Sequence, residues 1–560
     1  MLTKVFIICF LPVFVSWWLF QTCCRMLRIA RLIGAKRASY SKPPPKGPRL
    51  TDFPVELLEH IISFLPLSDR KSASLVCRLW NEVAFSRRFL RNVALKLTKS
   101  RRRCQCNHLQ RSIRRYRNVF ISFGWVTCCE YDFVMITEVL DRFGEGLDSF
   151  HCMTNLTEEQ LWTVMSRAPN LQQLVVGWDD KAVNQLGLNF PVLKHLTDLG
   201  SLGNVLKIPS LNVPKLVHLS ANFTKRTDAE ASMAALHRLG QQLKSLELFS
   251  TEYFIPISKL QFPNVRVLKL KGNICEAASD CALGRFFAGF RILKEAKLYF
   301  DVKVSVLEII TKTHPEIEKL HFENFPLKLH SFRLLSQLSY LKNLSIVGSI
   351  ESRISLKCKP LVKVEKFCLE LYNLMTSMSG EASVIRSFRK LLPNVTDMSI
   401  ILTEHNTPKC VLEHVCRNFP HLKKLTITSD HKYCQISSLE ALRHLDCLEE
   451  LTLKCIHTTM SLMLPNKCLR RLTIDDCPLL IDEDLLMLSE SYPNLKYLEL
   501  AWWRSTQVTS WGVEEFRSRL TDCVVHCVQY AISFMEDIRT TSEARRLIYS
   551  HFAELLHPQV

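Results

Sequence analysis

From Leu171 onward one short pattern recurs: an apolar residue, two variable residues, an apolar residue, one variable residue and a third apolar residue, often opened by Pro-Asn. Pro169-Asn170-Leu171-x-x-Leu174-x-Val176 and Pro263-Asn264-Val265-x-x-Leu268-x-Leu270 are clear copies. Others open at Pro393, Pro420 and Pro493, the middle one with His421 in place of Asn. Copies without proline begin at Leu243, Leu341, Leu448 and Leu469, and weaker ones lie near Leu193, Leu216, Leu293, Ile317 and Val364. Fourteen starts between 171 and 495 give a mean step of about 25 residues.

That period dictates an architecture. The last two apolar residues of each copy alternate on a short strand and point inward. The residues between strands often read as an amphipathic helix, as Asp482–Ser491 does. No unit closes its own core, so neighbours stack into a curved α/β solenoid with parallel strands on the concave side. The 31-residue step from Val364 to Val395 predicts a longer convex loop.

Outward-facing strand positions sample the concave surface. Seven cations (Lys269, Lys271, Lys297, Lys319, Lys424, Lys454, Arg471) meet five anions (Glu295, Glu323, Glu450, Asp475, Glu499). The near balance disfavours phosphate reading and suits a protein ligand held by mixed polar contacts. Tyr299, His321, Tyr497 and Trp502 are candidate anchors for that target, because large amphipathic side chains dominate binding energy. Each also reads as core or cap packing.

Residues 51–97 follow a different, helical pattern. Pro54 suits a first helical turn, Glu56 lies near the positive end of the helix dipole, and Leu57, Ile61 and Leu65 recur every four residues, widened by Leu58 and Ile62. Pro66 stops this helix. Ser68 or Asp69 can cap a second one running through Ala73, Leu75 and Val76, and Cys77, Trp80, Val83 and Ala84 give a third its apolar face. So much apolar surface on so short a piece suggests cover, either by a partner or by the next domain.

The run Phe53-Pro54-x-Glu56-Leu57…Ile61…Leu65-x-Leu67-x-Asp69…Val76-Cys77-Arg78-x-Trp80 resembles an F-box, with Phe53 where that family usually has Leu. The resemblance implies a three-helix module docking on the SKP-type adaptor of a cullin–RING ubiquitin ligase. It implies that Pro54, Leu57, Ile61, Leu65, Leu67, Val76 and Trp80 form the adaptor surface or the core beneath it. The repeats in turn resemble the leucine-rich repeats that commonly follow an F-box. They depart at the Asn/Cys ladder position, which only Asn273 and Cys477 fill as expected. Repeat boundaries are therefore set to within about four residues.

Other signals are weaker. The net charge of +19 is concentrated between Val83 and Cys129, where twelve Lys and Arg stand with no Asp or Glu. That stretch reads as a solvated connector, or alternatively as a nucleic-acid-binding segment, without the aromatic interleaving of a base-stacking platform. Val5 to Phe20 is apolar apart from Ser16, and its 16 residues span about 24 Å as helix, short of the ~30 Å hydrocarbon core. With cations following it, the segment reads either as an anchor holding the body in the cytosol or as residues ahead of a true start at Met26. Asn155, Asn222, Asn343 and Asn394 open Asn-x-Ser/Thr triplets, which motivates a membrane-tethered or secreted receptor as an alternative. The 22 scattered cysteines, several in apolar stretches (Cys77, Cys368, Cys416, Cys468), suggest reduced buried thiols.

No nucleotide, Rossmann, zinc-protease or serine-hydrolase motif is found, and Cys104-x-Cys106-x-His108 is only half a zinc site. No cofactor, metal or catalytic residue is expected. The fold class is α+β, mostly α/β. The expected organisation is a leader and Pro-rich linker (1–50), a three-helix F-box (51–97), a basic connector and solenoid N-cap (98–150), about fourteen repeats (151–525) and a helical cap (526–560). The expected role is the substrate-recognition subunit of an SCF-type ligase, non-catalytic, cytoplasmic or nuclear, with the SKP-type adaptor, cullin, RING protein and an unidentified protein target as partners.

Overall fold

The computed structural model describes residues 54–529, less a set of short internal segments of which the longest is 99–108. The chain divides into two compact units, one ending at Phe89 and one beginning at Leu90.

In the first unit the described helices are α1 (Val55–Ser63), α2 (Leu67–Ala73) and α3 (Arg78–Ala84), followed by a four-residue helix, Arg87–Leu90, that runs across the boundary. Pro54 stands just ahead of α1 with φ −52° and ψ 145°, and its carbonyl accepts from the amides of Leu57 and Leu58, both at 3.1 Å. Leu58 and Ile62 turn inward and form a small core with Val83, Ala84 and Phe89. Leu65, Leu79, Trp80 and Phe85 pack partly buried against it.

Two local expectations are corrected here. The second helix starts at Leu67, so neither Ser68 nor Asp69 caps it. It also ends at Ala73 rather than running through Leu75 and Val76. Ser74 Oγ donates to the Lys71 carbonyl at 2.7 Å, a local bond that competes with continued helix. The chain then turns, with Leu75 N bonded to Ser72 O and Val76 N to Ala73 O. Cys77 is extended and leads into α3.

The second unit is an α/β solenoid. Its strands are β1 (Ala94–Thr98), β2 (Asn118–Ser122), β3 (Ser149–Leu156), β4 (Gln173–Trp178), β5 (Asp198–Ser201), β6 (His218–Phe223), β7 (Ser245–Ser250), β8 (Val267–Lys271) and β9 (Glu295–Tyr299). They continue as β10 (Lys319–Phe322), β11 (Asn343–Ser349), β12 (Lys366–Tyr372), β13 (Asp397–Leu402), β14 (Lys424–Ser429), β15 (Glu450–Lys454), β16 (Arg471–Asp475), β17 (Tyr497–Trp502) and β18 (Val524–Gln529). Every neighbouring pair is parallel, and the strands pair in chain order.

The repeat pattern accounts for this ladder. The second and third apolar residues of each unit, such as Leu268 with Leu270 and Leu451 with Leu453, are buried, and helices such as Asp280–Ala288 and Val304–Thr313 cover them with Phe286, Phe287, Val306 and Ile310. At strand entry two successive amides share one carbonyl of the preceding repeat, as Lys244 N and Ser245 N do on Val217 O. The Pro-Asn opening has a specific task. The side-chain amides of Asn170, Asn264, Asn394 and Asn494 donate to the carbonyls of Glu145, Gln241, Val362 and Lys467, each one repeat back, at 2.6–2.9 Å.

Several readings shift. Three strands precede the first recognised copy and one follows the last, because their apolar residues (Val119 with Ile121, Phe150 with Cys152) lack the full consensus. The copy placed near Leu193 starts at Leu196, whose partner Leu199 lies on β5. The extra length between Val364 and Val395 carries a 14-residue helix, Met378–Leu391, rather than only a loop. Cys416 is buried as expected, but Cys77 and Cys368 are half-buried and Cys468 is exposed.

Candidate functional site

Two surfaces hold the residues singled out by sequence. The first lies on the helical unit. Leu57 (41% exposed), Ile61 (37%) and Phe64 (73%) fall at i, i+4 and i+7 and share one side of α1. The adjacent stripe, Leu58 and Ile62, is the one that faces the core. Leu75 (85%) and Val76 (53%), in the turn after α2, are exposed as well. Pro54 is exposed, Leu65 and Leu67 are half-buried, and Trp80 is half-buried with its indole N–H shielded from water and without a hydrogen-bond partner. Phe64 and Leu75 were not among the predicted contacts. Phe64 was readable as the next turn of the Leu57–Ile61 stripe, whereas Leu75 becomes a surface residue only because α2 stops early.

The second surface is the open face of the sheet. A depression of about 360 Å³ spans β9 to β13, with Tyr299 and His321 at one end and Ser345, Cys368 and Ser399 along its floor. Tyr299 and His321 meet with ring centroids 4.7 Å apart, and Lys271 Nζ lies 5.3 Å from the Tyr299 ring. His321 Nδ1 is 2.7 Å from Ser345 Oγ. The flanking charges are mutually paired: Lys271 with Glu247 at 2.7 Å, Lys319 with Glu295 at 3.1 Å, Lys366 with Asp397 at 3.2 Å and Lys424 with Glu450 at 2.9 Å.

Of the four predicted anchors, the structure brings Tyr299 and His321 together. Tyr497 lies on β17, eight strands from β9. Its hydroxyl donates to Glu499 Oε2 at 3.1 Å, and the Arg471 guanidinium sits 4.7 Å from its ring. Burial, and then the neighbouring Glu499 carboxylate, push the Tyr497 phenol above its ordinary value. Trp502 ends β17, and its side chain lies outside the described residues.

Burial keeps the Cys368 thiol above its usual pKa and therefore protonated at neutral pH. The His321–Ser345 contact has a nucleophile's residue types. However, β10, β11 and β12 are each paired with neighbours on both sides, so their amides are committed to the ladder rather than aimed at an oxyanion. Among the described residues no group of three His, Cys, Asp or Glu is placed to hold a metal, and no helix is long and apolar enough to cross a membrane. The apolar run 5–20 and the Cys104–His108 cluster lie outside the described residues, as do residues 99–103 and 110–113 of the basic stretch around it.

Residues 50–96 match the family model described as F-box-like. No curated protein matches the chain in sequence. Solved structures to which the chain is similar include the TLR13–ssRNA13 complex, at 14% identity, covering 74% of this chain and 53% of that one, with a TM-score of 0.32. A leucine-rich-repeat protein of Leptospira interrogans aligns at 16% identity over 72% of this chain and 100% of its own, TM-score 0.27. An internalin of Listeria monocytogenes aligns at 15% identity over 69% and 86%, TM-score 0.26. This chain thus spans about half the length of the TLR13 chain. The solenoid assignment rests on the ladder itself. An F-box-like module followed by a leucine-rich-repeat-type solenoid has the organisation of a substrate-recognition adaptor.

Proposed function

We propose that this chain is the substrate-recognition subunit of an SCF-type cullin–RING ubiquitin ligase. In this reading α1 docks on a SKP-type adaptor, which links it to cullin and RING protein, and the open face of the sheet holds a protein target. The observation that carries it is the Leu57–Ile61–Phe64 stripe, left exposed on a module that the F-box-like model matches. Leu57, Ile61 and Val76 then touch the adaptor, while Leu65, Leu67 and Trp80 support that face from beneath and Pro54 sets where α1 begins.

The chain contributes positioning rather than bond chemistry. Holding a target beside a conjugating enzyme replaces a bimolecular encounter with a high effective concentration of target lysines. Tyr299 and His321 act as anchors on the target side, where a tilted, partly desolvated ring pair presents both an apolar surface and polar atoms.

The test is capture of purified SKP-type adaptor by the full chain. A charge within a buried apolar contact costs at least about 2 kcal/mol, or some thirtyfold in affinity. Leu57→Glu is therefore expected to lose adaptor, and Trp80→Ala to weaken it, with the thermal unfolding of the solenoid unchanged. Equal recovery by wild type and both variants refutes the assignment.

A further inference from the structure

The open face is not uniform along the ladder. On β11 to β16 the central outward position is filled in register by Ser345, Cys368, Ser399, Thr426, Thr452 and Thr473. All six are half-buried and short. On β12, β15 and β16 the positions two residues to either side carry long charged side chains, and on β13 and β14 one side does (Asp397, Lys424), so the six lie along a furrow between two banks. Its lower end opens into the depression beside His321, and its upper end meets Glu499 and Tyr497 on β17.

The banks oppose one another. On three strands a charge on one bank faces the opposite charge on the other: Lys366 and Glu370, Glu450 and Lys454, Arg471 and Asp475. The two that remain, Asp397 and Lys424, cancel. The furrow is thus electrically neutral in sum, and its floor offers hydroxyls that both donate and accept. Six strands at about 4.8 Å spacing make a floor about 24 Å long, which matches some seven residues of extended peptide at ~3.4 Å each. An extended peptide is itself neutral along its backbone and presents N–H and C=O groups to both sides, as these banks and floor do.

We propose that the furrow from Ser345 to Thr473 takes an extended, net-neutral segment of the target, small uncharged side chains facing the floor and backbone groups bonded to the hydroxyls. The Tyr299–His321 pair closes one end and Tyr497 the other. This rests on the target-binding reading of the open face and narrows it to a tail or open loop rather than a folded surface.

The experiment is selection of a randomised dodecapeptide display library on the full chain, followed by anisotropy with an enriched peptide. Enrichment of net-neutral sequences rich in Gly, Ala, Ser and Thr is expected. Thr426→Trp, which fills the furrow, should weaken binding at least tenfold, and Lys312→Trp on an outer helix should not. Should Thr426→Trp lower the melting temperature, the milder Thr452→Gln serves instead, with a severalfold loss expected. Failure to enrich, a strongly acidic or basic consensus, or binding indifferent to both furrow variants overturns the proposal. Adaptor capture on the same preparation separates the two readings. Peptide binding without adaptor capture removes the ligase assignment alone, and adaptor capture without peptide binding removes the furrow alone.

Discussion

The helical module and the solenoid use apolar residues in opposite ways. The module buries five residues in its own core and leaves Leu57, Ile61, Phe64, Leu75 and Val76 facing solvent. In the solenoid the strand leucines of successive repeats are buried in one continuous core, and exposed apolar residues such as Ile292 and Tyr340 are scattered. Scattered exposure is ordinary, whereas five large apolar residues on a module this small mark a surface meant to be covered. The solenoid presents instead a polar face whose charges are already paired. In the function proposed above, one unit is gripped through apolar contact and the other grips through hydrogen bonds.

The largest effect expected from a single change falls in the solenoid, and it should stay local. Phe286 is fully buried on the Asp280–Ala288 helix, with Phe287 at 5.9 Å and Phe290 at 4.9 Å between ring centroids. Truncating such a residue costs about 3–5 kcal/mol. Each repeat contacts chiefly its neighbours, so Phe286→Ala should open the flanking repeats in hydrogen exchange while adaptor capture persists. Capture that falls in step with those repeats would show the two units to be coupled, against the division drawn here.

Next in size is a contrast between adjacent residues. Leu58 is fully buried in the five-residue core and Leu57 is not. Leu58→Ala should cost about 2–5 kcal/mol, most of what so small a unit has to lose, and abolish capture by unfolding the module. Leu57→Ala should leave the module folded and weaken capture directly. Helicity of the module, measured beside capture, distinguishes them. If both variants lose capture and helicity alike, the inward and outward stripes of α1 are misassigned.

How far sequence reached follows the same contrast. The solenoid was legible because its signal is summed over many copies, and a weak match at Ile317 or Val364 is supported by its neighbours. Legibility failed where the consensus thins. The strands at 118–122 and 149–156 place Val119, Ile121 and Phe150 inward without the spaced leucines. The module has a single copy and no such averaging. Its three helices could be read from Pro54, Pro66 and Cys77, but whether Leu57 or Leu58 faces inward depends on where α3 packs, which periodicity alone does not fix. On the open face, Tyr299 and His321 were readable as outward positions. Their contact was not, because the register that aligns Lys297 with His321 and His321 with Ser345 is a property of the stacked ladder.

A smaller test concerns what locks each repeat to the last. The Asn264 side-chain amide bonds the Gln241 carbonyl at 2.6 Å in an exposed turn. Asn264→Ala should cost about 0.5–1 kcal/mol, the net worth of one such bond, and Asn264→Asp should not rescue it, since the site needs a donor. Full stability in the Asp variant would mean that the asparagine is kept for its turn conformation instead.

The smallest effect is one the module should not share. His314 closes the Val304–Thr313 helix at 5% exposure, with Nε2 2.8 Å from the Phe287 carbonyl. Burial holds its imidazole below the ordinary pKa of 6.5, although the carbonyl partner favours the protonated form. The unfolded chain therefore takes up a proton near pH 6.5 that the native state still refuses. Stability at this position is full above that pH, declines as pH falls through 6.5, and levels off once the native imidazole is also protonated. The slope in that window cannot exceed about 1.4 kcal/mol per pH unit, the value for one proton. His314→Gln keeps a donor for Phe287 and removes the titration. Between pH 7.5 and 5.5 the melting temperature of the solenoid should fall further for wild type than for His314→Gln, while adaptor capture changes equally in both. Parallel melting curves would mean that the buried imidazole finds a way to carry its charge, and that this part of the solenoid is looser than the closed packing around Phe287 implies.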